Sequence, residues 1–319
     1  MDATTTDIPE VQQERRRLLS LAYRMLGTLA EAEDAVQETY LRWYRMTEAE
    51  RAAVGNVQGW LTRVASRVCL DVLASARHRR ERYVGEWLPE PVPADLFLAT
   101  TPTAPPDPAD RITLDESVST ALLVVMEAMT PAERVAFVLH DVFGLPFAEI
   151  AAVVGRTPAA TRQLASSARR RVRGHDALGA DRREHDAVTR AFARAAGTGD
   201  VDALVALLDP SVTLRSDGGG VVSAARRPVL GVGNVARFLL GVVRKHPGLR
   251  LVEERTGDGV VHRVVAADPT AGDQLVGLLT LRVRRGLVTD VWLQVNPHKL
   301  RTWTAGRPIP APATPEGTP

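Results

Sequence analysis

The sequence predicts a multidomain protein in which two all-α domains, joined by a proline-rich linker, precede a C-terminal α+β domain. Apolar residues recur at helical spacing in 11–82 and again in 115–174, so both segments are expected to be helical. Seven prolines fall within the intervening segment 83–114, which therefore cannot propagate a helix and is expected to be an extended linker. Strand-like alternation is confined to 182–300, and the proline-rich tail 301–319 is expected to be disordered.

Composition indicates a globular protein of the cell interior. Apolar residues make up 45% of the chain, enough for a core in each domain. With one cysteine, Cys69, no intrachain disulfide can form, which favours a reducing cytoplasm. The N-terminus is polar and no apolar run reaches the roughly 18 residues of a membrane span, so neither a signal peptide nor a membrane partner is expected. The net charge of +2 is too small to indicate nucleic acid by itself.

The stretch TLAEAEDAVQETYLRWY, residues 28–44, predicts a helix with an acidic face. Thr28 and Glu31 have the spacing of a capping box. A buried stripe at helical spacing is expected to comprise Ala32, Ala35, Val36, Thr39, Tyr40 and Trp43. Asp34, Gln37 and Glu38 lie on another face. The helix dipole accounts for acids in the first turn, but Glu38 lies too far along the helix for that explanation.

The segment LPFAEIAAVVGRTPAATRQLASSARRRVR, residues 145–173, has the spacing of a helix–turn–helix motif. Phe147–Val154 is expected to form the first helix and Gly155 the turn. Thr157 is expected to cap the second helix, which Pro158 begins. TPAE at 130–133 predicts a further capping box upstream.

The second helix of this motif is strongly basic. Its buried stripe is expected to be Thr161, Leu164, Ala168 and Val172, and the side chains that point away are Arg162, Gln163, Ser166, Arg169, Arg170 and Arg173. Between Arg156 and Arg173 there are six arginines and no acid. Arginine neutralises phosphate, and arginine and glutamine pair with guanine and adenine edges, so DNA binding is predicted. For Arg170, Arg171 and Arg173 a solvated helix end is an equally good explanation.

The C-terminal domain is predicted to contain two β-hairpins after two helices at 182–196 and 200–208. Thr256-Gly257-Asp258-Gly259 and Arg285-Gly286 are the turn signals. Leu279, Leu281 and Val283 alternate with polar residues, which suits a sheet with one buried face.

Two segments together, AYRMLGTLAEAEDAVQETYLRW and PAERVAFVLHDVFGLPFAEIAAVVGRTPAATRQLASSARR, resemble the bacterial extracytoplasmic-function (ECF) sigma factors. The resemblance implies that 11–82 is sigma domain 2 and 115–174 is sigma domain 4, and that promoter DNA and the RNA polymerase core are the partners. The helix AEDAVQE would bind the β′ clamp helices through Asp34, Gln37 and Glu38.

The resemblance also implies the DNA-binding residues. A helix beginning at Trp60 would contact the −10 element, after a base-capturing loop at 55–59, and arginines 77, 79, 80 and 82 would hold backbone phosphate. The −10 candidates are Asn56, Trp60, Arg63, Arg67 and Asp71, with a core role for Trp60 equally open. The −35 candidates are Arg156, Thr157, Arg162, Gln163, Ser166 and Arg169.

Residues 182–300 resemble a SnoaL-like domain, the cone-shaped α+β fold that one sigma subgroup carries fused to domain 4. The motifs are WLPEP at 87–91, DGGG at 217–220 and NPHKL at 296–300, with His298 where the subgroup usually has aspartate. The resemblance implies intramolecular regulation in place of a separate anti-sigma protein. The interdomain regulatory residues would be Trp87, Leu88, Pro89, Glu90, Pro91, Asp217, Gly218, Gly219, Gly220, Asn296, Pro297, His298, Lys299 and Leu300.

Two other functions stay open for the C-terminal domain: a small-molecule enzyme of the isomerase or cyclase type, and a sensor that binds an unknown small ligand. General acid–base chemistry would need a buried acid or histidine, for which Asp217, Glu253 and His262 are the candidates. No pair of them has an informative spacing, so a domain without catalysis is preferred. The seven histidines show no ligand spacing, so no metal or other cofactor is expected.

Overall fold

The computed structural model describes the chain in several ranges that together hold both predicted all-α domains and the C-terminal domain. The described residues are 13–80 (backbone only from 76), 83, 85–93, 96, 119–174, 181–256, 258–267 and 273–304. They divide into two compact units. The first contains the described residues up to 83 and from 96 to 174, and the second contains 85–93 and 181–304. Part of the predicted linker thus belongs to the C-terminal unit.

The N-terminal half of the first unit consists of α1 (Arg15–Leu26), α2 (Leu29–Arg45), α3 (Glu48–Ala52) and α4 (Val57–Arg80). The expected start of α4 at Trp60 is wrong, because the helix begins at Val57. Asn56 Oδ1 accepts a hydrogen bond from the Gly59 N–H at 2.8 Å, which caps that first turn. Residues 57–59 are therefore helical and not part of a loop.

The buried stripe of α2 follows the prediction, with Ala32, Ala35, Val36, Thr39 and Trp43 buried. Tyr40 is only half-buried. Thr28 caps the helix, because its hydroxyl oxygen accepts from the Glu31 N–H at 3.4 Å, and the hydroxyl donates to Glu31 Oε2 at 2.9 Å. Reciprocal capping boxes are present at Thr47–Glu50 and, as predicted, at Thr130–Glu133.

The second half of the first unit contains α5 (Thr120–Glu127), α6 (Pro131–Phe137), a π-helical turn (Val138–Val142), α7 (Phe147–Val154) and α8 (Pro158–Gly174). Gly155 ends α7 with φ 65°, a left-handed conformation that favours glycine. The Ala160 N–H donates to Thr157 Oγ1 at 3.2 Å, so Thr157 caps α8 as predicted. One stripe position differs, since Ala165 is fully buried and Leu164 only partly.

Helix α4 packs on α6 and α7, so the two helical halves share a core. Cys69 of α4 is fully buried there, and burial raises the pKa of its thiol to about 12. Arg134 of α6 is 2% exposed and pairs with Glu127. Burial lowers the pKa of the Arg134 guanidinium to about 10, which leaves the group charged at neutral pH.

The second unit has helices α9 (Arg182–Thr198), α10 (Val201–Ala206) and α11 (Val232–Lys245), and strands β1 (Leu208–Asp217), β2 (Val229–Leu230), β3 (Leu249–Thr256), β4 (Gly259–Ala266), β5 (Gln274–Arg284) and β6 (Leu287–Gln294). The described strands form one mixed sheet in the order β2-β1-β6-β5-β4-β3. Both predicted hairpins, β3–β4 and β5–β6, are present. Strand β1 was not predicted, and it pairs in parallel with β6.

Both faces of this sheet are covered. The helices pack on the inner face, where Leu279, Leu281 and Val283 join Phe192 and Leu214 in the larger apolar core. On the outer face, Val261 and Leu278 pack with Leu300 and Trp303. Leu300 follows a 3₁₀ turn (Pro297–Lys299), and Trp303 lies in the short helix α12 (Arg301–Thr304).

Two expectations are therefore corrected. The sheet has two buried faces at one end, because Leu278 and Thr280 are buried as well as Leu279. The tail is not disordered from Arg301, because Trp303 is 1% exposed within the outer-face core. The rest of the tail, from 305, lies outside the described residues. In the part of the chain that the structure describes, no helix has the length and apolarity of a membrane span.

Candidate functional site

The acidic face of α2 is accessible. Asp34 and Gln37 are exposed, and the Glu38 side chain is 39% exposed. Glu38 Oε1 accepts a hydrogen bond from Arg42 Nε at 2.9 Å, an i,i+4 pair. An exposed pair of this kind contributes only about 0.3–0.5 kcal/mol, so it competes weakly with a basic partner.

Two apolar side chains, which the sequence analysis missed, extend this face. Leu41 is 50% exposed and Tyr44 is 47% exposed. Leu41 lies three residues after Glu38, and Tyr44 lies seven residues after Gln37. These spacings place both side chains on the same side of the helix as the acids. The sequence could have indicated their exposure, because neither Leu41 nor Tyr44 fits the helical spacing of the buried stripe. The α2 face thus combines acids with exposed apolar side chains.

The predicted −10 residues divide into two groups. Arg63, Arg67 and Asp71 are exposed on α4 at spacings of four residues, hence on one face. Arg67 Nη2 donates to the carbonyl oxygen of Ala152 in α7 at 2.8 Å. Trp60 is half-buried, 5.0 Å from Trp43 in an edge-to-face ring pair.

Trp60 therefore has a packing role, although part of its ring remains accessible. Asn56 is exposed beside the first turn of α4, with its Oδ1 engaged by Gly59. The proposed phosphate contacts at Arg77, Arg79, Arg80 and Arg82 fall outside the residues whose side chains are described.

The basic face of α8 borders an open groove of about 600 Å³. Its lining residues are Glu133, Arg156, Ala160, Gln163, Leu164, Ser166, Ser167 and Arg170. Arg156, Thr157, Arg162 and Gln163 are exposed, and Ser166 is partly buried. Three of the predicted −35 residues, Arg156, Gln163 and Ser166, therefore line one groove.

Arg169 differs from the other predicted −35 residues. Its side chain is 26% exposed, and Nε donates to Oδ1 of the buried Asp141 at 2.5 Å. The expectation that Arg169 points freely away from the core is thus wrong, because the guanidinium is held by an internal acid. Any contact of Arg169 with DNA would have to share that group with Asp141.

Glu133 is the acid of this groove. Ser167 Oγ donates to its carboxylate at 2.7 Å, and the Thr130 N–H donates at 2.9 Å. Burial alone would raise the pKa of Glu133, but these hydrogen bonds and the charge of Arg171 outweigh it and lower the pKa below its usual value. Glu133 is therefore anionic and satisfied internally, so it fixes α8 on α6.

The C-terminal unit contains a buried polar site, which we call the linker site, formed by Asp217, Gln294 and Lys299. Asp217 is fully buried, and its Oδ2 lies 2.7 Å from Lys299 Nζ. The Leu88 N–H donates to the same oxygen at 3.0 Å, and Lys299 Nζ donates to the Leu88 carbonyl at 2.5 Å. Both backbone groups of one linker residue are thus bound by a buried ion pair.

Further contacts hold the linker segment 86–93. Gln294 Nε2 donates to the Pro89 carbonyl at 3.4 Å, and Trp303 Nε1 donates to the Pro91 carbonyl at 2.8 Å. Lys299 Nζ lies 4.2 Å from the centre of the Trp87 ring, a cation–π contact. Leu88, Pro89 and Glu90 are buried. The segment is therefore a packed part of this unit.

DGGG and NPHKL meet beside the linker site. The Gly219 N–H donates to Asp217 Oδ1 at 3.0 Å. Gly219 has φ 63°, and a Cβ there would overlap the Asn296 side chain. Asn296 Oδ1 accepts from the His298 N–H at 3.0 Å, which turns the chain toward Lys299. His298 itself is exposed, outside the ion pair.

The three candidate acid–base residues of the C-terminal domain are placed differently. Asp217 belongs to the linker site. Glu253 forms a bidentate ion pair with Arg190, with both contacts at 2.8 Å. His262 is the cross-strand partner of Glu253, is 3% exposed and has no hydrogen-bond partner at Nδ1. Among the described residues, no three His, Cys, Asp or Glu side chains are grouped to hold a metal ion.

The helical surfaces and the helix–turn–helix motif agree with the family comparisons. Residues 11–79 match the family model Sigma-70 region 2, and residues 119–172 match Sigma-70, region 4. The class is therefore that of the sigma factors, which bind the RNA polymerase core and promoter DNA.

Individual relatives narrow the class. The chain is 40% identical over 311 residues to the ECF RNA polymerase sigma factor SigJ of Mycobacterium tuberculosis (strain ATCC 25618 / H37Rv), a match that covers 92% of this chain and 93% of SigJ. It is 38% identical to the probable ECF sigma factor SigI of M. tuberculosis (strain CDC 1551 / Oshkosh), over 90% of this chain and 92% of SigI. The chain belongs to the ECF sigma factors, which direct transcription initiation.

A solved structure of one of these relatives matches most of the chain. The crystal structure of M. tuberculosis SigJ matches with a TM-score of 0.68 and 34% identity, over 92% of this chain and 98% of that chain. A putative polyketide cyclase from Sinorhizobium meliloti matches with a TM-score of 0.27 and 14% identity, over 36% of this chain and all of that one. The C-terminal unit has the expected α+β composition, with helices packed on a six-stranded mixed sheet.

Proposed function

We propose that this ECF sigma factor is controlled by its own C-terminal domain, which holds the linker between the two DNA-binding domains at the linker site. The observation that carries the proposal is the pair of bonds from Asp217 and Lys299 to the two backbone groups of Leu88. Binding at backbone groups of the chain that joins the sigma domains restricts the positions those domains can take.

In this proposal the sigma domains use the surfaces described above. The α2 face, with Asp34, Gln37 and Glu38, binds the β′ clamp helices of the core enzyme. The exposed α4 residues Arg63, Arg67 and Asp71, with Asn56 and Trp60, contact the −10 element. The exposed −35 residues are Arg156, Thr157, Arg162 and Gln163, with Ser166 beside them. The protein acts in the cytoplasm, where its polymerase and promoters are.

The energetics of the linker site support coupling between linker and domain. A buried polar group that loses its hydrogen-bond partner costs about 1–3 kcal/mol, and more when the group is charged. Leu88 supplies an N–H to Asp217 and a carbonyl to Lys299. Release of the linker therefore removes partners from two buried charges, so release requires free energy from another interaction. Binding of core polymerase or promoter DNA to the sigma domains is the source we propose.

The test is promoter-specific transcription with purified core polymerase. Leu88→Asp places an unpaired charge at a site that is 2% exposed in the linker-bound state. We expect this variant to change specific initiation relative to the parent chain, upward if docking inhibits and downward if docking assists. The matched control is Leu96→Asp, because Leu96 lies in the same linker but is 36% exposed.

Two results would contradict the proposal. Specific initiation that is the same for Leu88→Asp and the parent would show that linker docking does not control the factor. An equal change in Leu96→Asp would assign the effect to linker charge and not to docking. Hydrogen exchange of the backbone amides in 86–93 provides the physical control that Leu88→Asp has released the segment.

A further inference from the structure

Three side chains from three parts of the helix–turn–helix region stack on one another. The centre of the Phe147 ring lies 4.0 Å from that of the His140 imidazole, with 28° between the planes. The guanidinium carbon of Arg162 lies over the Phe147 ring, 5.3 Å from its centre. The Phe147 ring thus contacts a side chain of the π-helical turn and a side chain of α8.

The imidazole that stacks on the Phe147 ring and the ring itself are both held in place. His140 Nδ1 lies 3.0 Å from the Leu145 carbonyl oxygen, and since a carbonyl only accepts, Nδ1 donates this bond. The imidazole is therefore fixed by the turn before α7. Phe147 is the first residue of α7 and is half-buried. Its ring is thus a fixed surface beside an exposed arginine of α8.

Arg162 benefits from such a surface because it is long and exposed. A free arginine side chain samples many rotamers, and a base contact would have to overcome the loss of that entropy. A guanidinium on an aromatic face gains about 0.5–1 kcal/mol at an exposed site, and this gain restricts the side chain before any DNA is bound. Restriction in the free protein lowers the entropy lost on binding.

We propose that Phe147 is a positioning residue for recognition of the −35 element: its ring orients Arg162 toward the base pair that Arg162 contacts. This inference rests on the proposed −35 role of Arg162. Because Phe147 contacts Arg162, its effect on recognition is proposed to pass through that arginine.

A double-mutant cycle tests this in the full-length chain assembled with core polymerase. The variants are Phe147→Leu, Phe147→Tyr, Arg162→Ala and Phe147→Leu combined with Arg162→Ala. The readout is the ratio of initiation at promoters with each base pair of the −35 element replaced in turn. Phe147→Leu should reduce discrimination at the base pair that Arg162→Ala affects, by roughly two- to fivefold. Phe147→Tyr keeps the ring and should keep the discrimination.

In the double variant, Phe147→Leu should add nothing to Arg162→Ala. An equal added loss in the Arg162→Ala background would overturn the proposal, because the ring would then act through packing of the motif. Loss of discrimination in Arg162→Ala but not in Phe147→Leu would overturn the positioning role alone. Unchanged discrimination in Arg162→Ala would reject the −35 role of Arg162 and the inference with it.

Nuclear magnetic resonance of the full-length chain tests the contact without DNA or polymerase. A guanidinium over an aromatic face is shifted upfield by the ring current. The Arg162 side-chain signals should show this shift in the parent and in Phe147→Tyr, and lose it in Phe147→Leu. Arg162 signals that do not change between the parent and Phe147→Leu would overturn the proposal at the level of the contact.

Discussion

His262 is a buried base in the C-terminal sheet, and its environment sets a pH dependence. Burial lowers the pKa of His262, and with the opposing charge of Glu253 and the added effect of Arg190 the pKa falls from 6.5 to about 4. The imidazole is therefore neutral in the folded protein at neutral pH. Its inward position on β4, opposite Glu253 of β3, fits a packing role.

The first prediction follows by linkage. The unfolded chain binds a proton at His262 near pH 6.5 while the folded chain binds it only near pH 4, so stability is present above pH 6.5 and is lost as pH falls toward 4. Between about pH 7.5 and about pH 5 the loss should be about 2 kcal/mol. His262→Leu should remove this part of the pH dependence. Hydrogen-exchange protection of β4 amides is the measurement.

His246→Leu is the matched control, because His246 is exposed at the end of α11. That variant should keep the pH dependence of the parent. A His262→Leu protein that loses β4 protection with pH as steeply as the parent would show that another group causes the loss.

At the scale of one element, α2 is the surface where charge and exposed apolar area coincide. We predict that Asp34→Lys combined with Glu38→Lys weakens binding to core polymerase and leaves the fold intact. Exposed charges contribute about 0–1 kcal/mol to stability, so circular dichroism and thermal unfolding should barely change. Binding to core polymerase, measured as the dissociation constant at low and high salt, should weaken most at low salt.

Glu48→Lys serves as the control for net charge, because Glu48 is an exposed acid on the neighbouring helix α3. If Glu48→Lys weakens binding as much per charge as the α2 variant, the effect is nonspecific. If the double α2 variant binds as well as the parent, the α2 face is not the core-binding surface.

Local sequence signals predicted most elements whose ends are set by nearby residues. The capping box at Thr130–Glu133, the turn at Gly155 and both hairpins are of this kind. The start of α4 was misplaced because Gly55 and Gly59 suggested a loop, while Asn56 caps a helix that already includes Gly59. Asparagine at this position was the signal that the glycines obscured.

Elements made by distant contacts were not predictable in this way. Strand β1 (Leu208–Asp217) has Pro210 and polar residues in its first half and pairs in parallel with β6, far along the chain, so no hairpin turn marks it. Trp303 lies in a segment whose prolines indicate disorder, yet it is buried by Val261 and Leu278 of the sheet. The linker site likewise joins three motifs from distant positions, and the resemblance to a family, not the spacing, indicated that they belong together.

For the whole molecule, the important feature of the linker site is that one chain segment connects the sigma domains and also packs in the C-terminal unit. The segment 86–93 joins the DNA-binding domains in sequence and packs on the C-terminal sheet in space. The C-terminal residues that contact it, Lys299 and Trp303, follow the last strand, which ends at Gln294. Truncation after the last strand can therefore remove the Lys299 and Trp303 contacts to the linker while leaving every described strand of the sheet.

We predict that a chain ending after Val295 and a chain ending at Arg173 both differ from the full chain in promoter-specific transcription. The first loses the bonds from Lys299 to Leu88 and from Trp303 to Pro91, and leaves Asp217 without its cation. The second lacks the domain altogether. A chain ending after Thr304 is the control, since it keeps all of these contacts and should transcribe like the parent.

Higher activity in the two shorter chains would make the docked domain a brake, whereas lower activity would make it a support that holds the sigma domains at promoter spacing. A difference in transcription between the two shorter chains would measure what the sheet contributes in the absence of the Lys299 and Trp303 contacts. If both transcribe like the full chain, the domain is not an intramolecular regulator, and a separate ligand-binding or catalytic role becomes the better explanation for it.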